Sequence, residues 1–218
     1  MTGIELGRRR FLQASGFAAL GVIAAACTSD KPKAAPGVTT TTAPTTTSSG
    51  ASPSDVALIK TAASLEALAI EVYQRAAGAS LVKDPGALDA TTLFLMHHTA
   101  QQVALNDLLQ TAEVSAVTAP NDVLDKSIFQ PALAAATKQD DVIQLLLTLE
   151  EVLAQTYVYS ADILTKPEHR VLFMTIAGTQ ARHRALLGFE FAKRGVDELF
   201  PGSFAKSSNP LPADAILN

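Results

Sequence analysis

The sequence predicts an all-α protein, an antiparallel bundle of four long helices with one long crossover between the second and the third. Three observations predict it. The residues are 48% apolar but only 6% aromatic, with no Trp, and the apolar share is dominated by Ala and Leu, which suit helix packing. Four stretches repeat apolar residues at spacings of three and four. The links within the first and second pairs of stretches are short, whereas residues 111–139 are too long for a tight turn.

The 218-residue chain opens with what reads as an export signal, residues 1–26: a basic start, an apolar run over 11–26, and small residues at its end. Gly7-Arg8-Arg9-Arg10-Phe11-Leu12-Gln13 closely resembles the twin-arginine consensus, which implies that Arg8 and Arg9 direct export of a folded protein. Gln13, Ser15, Gly16 and Gly21 interrupt the run. It is shorter than the ~20 apolar residues of a membrane span. Ala24-Ala25-Ala26 before Cys27 resembles a lipoprotein cleavage box, although the usual Leu is replaced by Ala24. This resemblance implies lipidation at Cys27 and a lipid anchor on the outer face of a cytoplasmic membrane. The same Ala24 and Ala26 also suit ordinary signal cleavage and a secreted or envelope protein. Residues 27–53 are rich in Thr, Ser, Ala and Pro and read as a flexible tether.

The helical domain is expected over 54–195. Ser54 or Asp55 starts the first helix, which runs to Ala77 and stops at Gly78. Asp84-Pro85-Gly86 leads to a second helix over 89–110 with Phe94, His98, Gln101, Leu105 and Leu108 inward. The crossover contains Pro120 and Pro131 and is expected to hold one short helix over 131–137. A third helix follows over 140–164. Pro167 suits the first turn of a fourth, over 167–194, with Gly195 as its stop. Its inward stripe is Phe173, Ile176, Ala177, Gln180, His183 and Leu187. The tail, 196–218, reads as irregular.

Charge and cysteine usage exclude several functions. The net charge is −4, and Arg8, Arg9 and Arg10 against Glu5 make the signal basic, so the remainder is more acidic still. That balance excludes nucleic acid as a main partner. Cys27 is the single cysteine, so no intrachain disulfide forms and the helical domain has no thiolate. Phosphate loops, nucleophile elbows and triad spacings are missing from the sequence.

The chemistry sits in the core. Glu150 lies in the apolar stripe of Ile143, Leu146, Leu147, Leu153, Ala154 and Tyr157, and Glu66 lies among Ile59, Ala62, Ala69 and Tyr73. An ionised carboxylate facing a core costs several kcal/mol unless it is paired. Ser64-Leu65-Glu66 with Tyr73 repeats as Thr148-Leu149-Glu150 with Tyr157, with the same Glu-to-Tyr spacing. Tyr73 and Tyr157 are therefore candidates to hydrogen-bond the carboxylates, and are equally readable as plain core aromatics. The other two helices offer His98-Thr99-Ala100-Gln101 and Gln180-Ala181-Arg182-His183, whose ends share one helical face. His97 reads as a helix-flank histidine.

These segments resemble the ferritin-like superfamily, in particular exported bacterial ferritin-like domains, over residues 54–194. The resemblance implies a ferritin-like bundle and a dimetal centre built from one Glu on each of two helices and Glu-x-x-His on the other two. Glu66, Glu150 and His183 match that pattern. His98 and Gln180 stand where it has Glu, and Gln101 where it has His. Two readings follow. In one, Glu66, His98, Glu150 and His183 hold a single Fe, Mn or Zn ion, with Gln101, Gln180, Tyr73 and Tyr157 around them. In the other there is no metal, and the same residues form a satisfied polar layer in a non-catalytic structural, interaction or stress-protection module of the cell envelope. Homodimerisation and an envelope protein partner are both left open.

Overall fold

The structure, a computed structural model, describes residues 51–199 and 211–217. The export signal with Arg8 and Arg9, the Cys27 lipidation site, most of the tether and residues 200–210 of the tail lie outside the described residues. Among the described residues there is no strand, and no helix is long and apolar enough to cross a membrane.

Helix α1 spans Pro53–Gly78. Its cap is Ser52, one step before the expected residues: the Ser52 hydroxyl accepts from Asp55 N at 3.1 Å. Pro53 then takes the first helical position, where a missing N–H costs nothing. Helix α2, Pro85–Thr111, likewise starts a turn earlier than expected, because Asp84 Oδ1 accepts from Ala87 N at 2.9 Å. The crossover is more ordered than expected. Helix α3, Asp122–Leu124, continues through a π turn, Asp125–Phe129, into α4, Gln130–Ala135. Two contacts hold it on α1. Arg75 donates to both Asp125 oxygens, at 2.9 and 3.2 Å. Buried Asn121 donates to Ser64 Oγ at 3.2 Å and to Ala215 O at 2.8 Å.

Helix α5 spans Gln139–Ile163 and α6 spans Pro167–Leu186. All six residues expected on the inward stripe of α6 are buried. The fourth helix does not stay α-helical to Arg194. It passes into a π turn, Leu187–Phe191, closed by Ala192 N to Leu187 O at 2.9 Å. Lys193, not Gly195, takes a left-handed conformation, with φ 55°. The reason is packing: the Leu199 side chain of α7, Val196–Leu199, fills the space a Cβ on Gly188 would need. The tail is not wholly irregular either, since Ala213–Ala215 forms a 3-10 turn.

α1 lies along α2 and α5 along α6, two helical hairpins, and α1 also packs on α5. The second hairpin is locked to the first by Asp55, which is fully buried. Its Oδ1 accepts from Thr165 N at 2.9 Å and its Oδ2 from His169 Nδ1 at 3.0 Å. A residue of α1 thus caps the start of α6, whose own N-cap, Lys166, makes no side-chain cap bond. These hydrogen bonds hold the Asp55 carboxyl below its ordinary value, against the opposing effect of its burial.

Candidate metal centre

Each bundle helix sends two polar side chains to one level of the core. α1 supplies Glu66 and Tyr73, α5 supplies Glu150 and Tyr157, α2 supplies His98 and Gln101, and α6 supplies Gln180 and His183. Seven residues separate each Glu from its Tyr, two turns along the same face. The tyrosines do not bond their own helix's carboxylate. Tyr73 donates to Glu150 Oε1 and Tyr157 to Glu66 Oε1, both at 2.5 Å, so α1 and α5 run antiparallel and exchange hydrogen bonds. On the other pair, Gln180 Nε2 donates to Gln101 Oε1 at 3.0 Å, and the His98 and His183 rings lie 5.5 Å apart. The layer has an approximate two-fold arrangement in which His98 corresponds to Gln180 and Gln101 to His183.

His98 is the hinge of this layer. Its Nδ1 lies 2.7 Å from Glu66 Oε2 and its Nε2 lies 3.1 Å from Glu150 Oε1. Burial disfavours the imidazolium, but the charges of Glu150 and Glu66 and their hydrogen bonds outweigh it and push the His98 pKa up to about 10. Reciprocally, burial raises Glu150, and the charge of His98 with hydrogen bonds from His183 and His98 outweighs it, drawing Glu150 down to about 2. Burial and the neighbouring carboxylates push both tyrosines well above 10.0, so they stay protonated donors.

Glu150 is loaded on one side only. Its Oε1 accepts from Tyr73, from His98 and, at 3.3 Å, from His183 Nδ1. Its Oε2 is buried with no partner, and so is Gln180 Oε1. His183 Nε2 lies 2.9 Å from His97 Nδ1, with the two rings within 7° of parallel. One tautomer satisfies both bonds: His183 protonated on Nδ1 toward Glu150, and accepting at Nε2 from His97.

Among the described residues, His98, Glu150 and His183 can each present one ligand atom within 4.8 Å of the others. Glu66, the fourth residue singled out by the sequence, stands on the far side of His98, where its Oε1 also accepts from Gln180 Nε2 at 3.2 Å. Gln101 and Gln180 lie against each other. His97 is not a mere flank residue. The signal for it was its position one turn before Gln101, which places both toward α6. The Asp55–His169 pair had no sequence signal, since it joins residues more than a hundred positions apart.

The family model of the ferritin-like domain matches residues 54–190. The chain belongs to the ferritin-like domain family. The match spans all eight residues of the polar layer of this ferritin-like bundle. No curated protein and no solved structure matched the chain.

Proposed function

We propose that this ferritin-like bundle holds one divalent cation (Fe, Mn or Zn) on His98 Nε2, His183 Nδ1 and the Glu150 carboxylate. The observation that carries this is the partnerless Glu150 Oε2, buried beside two imidazole nitrogens. A buried carboxylate oxygen without a donor costs roughly 1–3 kcal/mol or more, and a cation relieves that cost. Both imidazoles are held at their other nitrogen, His98 by Glu66 and His183 by His97, which fixes tautomer and ring direction as metal-ligating histidines require. Charge balance agrees: a divalent ion replacing the His98 proton faces the two carboxylates of the layer. A second cation finds no free donors, because Tyr157, Gln180 and His98 engage both oxygens of Glu66. Two imidazoles with one carboxylate suit ferrous iron or zinc, which supply one-electron or Lewis-acid chemistry respectively.

A second reading has its own observation. His98 already bridges both carboxylates through both nitrogens, so a proton can do the work of a metal in a non-catalytic envelope module. Elemental analysis of protein purified without chelator separates the two. The metal reading expects one Fe, Mn or Zn per chain, lost in Glu150→Ala. A metal-free preparation that also takes up no added Fe, Mn or Zn, with Glu150→Gln as stable as the parent, establishes the second reading. Either way, we propose that the domain works outside the cytoplasm, exported through Arg8 and Arg9 and tethered by lipid at Cys27.

A further inference from the structure

The three candidate ligands are fully or almost fully buried, His183 being the most exposed at 2%. A cation reaching them needs a port. Tyr73 and Tyr157 with the apolar core seal the α1–α5 side of the layer. On the opposite side α2 and α6 separate, leaving an open pocket of about 390 Å³ that His183 itself lines. Phe94, His97 and Ala100 form one wall, and Thr179 and Arg182 the other. Phe94 stacks on the inner face of His183 at 3.8 Å. His97 is half-buried in this pocket, with Nδ1 on His183 Nε2. It is thus the outermost nitrogen of a continuous path, His97 to His183 to Glu150.

We propose that the α2–α6 pocket is the port of the buried site, and that His97 is its outer ligand, taking a divalent cation from solvent and passing it to His183. The proposal rests on the metal reading above. His97 suits the role because burial and the charges of His183, His98 and Arg182 lower its pKa, which keeps an imidazole lone pair available. Arg182 bonds only Thr179 Oγ1 on the exposed wall, at 2.9 Å. Its charge opposes an arriving cation, so it sets the rate of uptake against the pull of the carboxylates below.

The test is stopped-flow uptake of Co²⁺, followed by its visible absorption, into the full chain stripped of metal. Ala100→Trp plugs the pocket without touching the ligands, and His97→Gln removes the outer ligand. Each is expected to slow uptake about tenfold or more, with Ala100→Trp still reaching one Co²⁺ per chain. Arg182→Gln is expected to speed uptake, most at low salt. Wild-type rates in both Ala100→Trp and His97→Gln overturn the port while leaving the metal site standing. So does His97→Gln with faster release but unchanged uptake, since His97 then only positions His183. A parent chain that binds no Co²⁺ overturns both the port and the metal reading.

Discussion

Tyr73 and Tyr157 carry the polar layer's most exacting bonds, because each phenol reaches a buried carboxylate on the facing helix. Removing one hydroxyl leaves its carboxylate with one donor fewer and no route for water. Tyr73→Phe and Tyr157→Phe are each expected to lower stability by about 1–3 kcal/mol in urea titrations. Parent-like midpoints in both would show that the bonds contribute nothing net. The coupled His98 and Glu150 set a pH window. The pKa of His98 is raised by folding, so its contribution is complete below its ordinary 6.5 and fades as pH rises toward about 10. That of Glu150 is lowered, so its contribution is complete above 4.5 and fades as pH falls toward about 2. Chelated protein should therefore lose stability on the alkaline side of 6.5 in a thermal-unfolding series, and His98→Gln should abolish that loss. Added cation should flatten the same slope, since it takes the proton's place.

Helix ends, more than helix middles, hold the elements in their places. Asp55 caps α6 from α1, satisfying Thr165 N and orienting His169 with one side chain. Asp55→Ala strips the α6 terminus and leaves His169 buried without its carboxylate, a loss of about 2 kcal/mol or more. Guanidinium unfolding measures it; an unchanged midpoint would mean that water replaces the cap. The π turn at the other end of α6 makes a second demand. Gly188 admits the Leu199 side chain where a Cβ would stand. Gly188→Ala is expected to cost about 1–3 kcal/mol by overpacking, and Leu199→Ala on the same background should recover part of it.

Across the whole molecule, the C-terminal segment completes the core that the bundle helices begin. Leu211 and Ala215 are buried, Ala215 O accepts from Asn121, and Leu217 N donates to Thr61 Oγ1 at 2.9 Å. Deleting the chain from Leu211 onward should lower the melting temperature yet leave helical circular dichroism, because the four bundle helices retain their own interfaces. Complete loss of helicity would show that the tail is needed for folding. At the other terminus, Arg8→Lys with Arg9→Lys is expected to hold the protein in the cytoplasm, read by cell fractionation. Unimpaired export of that variant would remove the twin-arginine reading.

The sequence by itself determined the number of bundle helices, their order and most of the inward residues, because helical periodicity and Pro, Gly and Asp end signals are local. It also singled out Glu66, Glu150, His98 and His183, since a carboxylate or imidazole within an apolar stripe is conspicuous before any folding. The crossover helix, the π turn at Leu187–Phe191 and the Asp55 cap escaped it, as each is set by a side chain from a distant part of the chain. The roles within the layer were also settled only by tertiary packing. Which tyrosine serves which carboxylate, which face of His98 meets Glu66, and that His97 stands behind His183 all depend on how the two hairpins face each other. Periodicity assigns a residue to a side of its own helix; only the packed neighbour decides what that side touches.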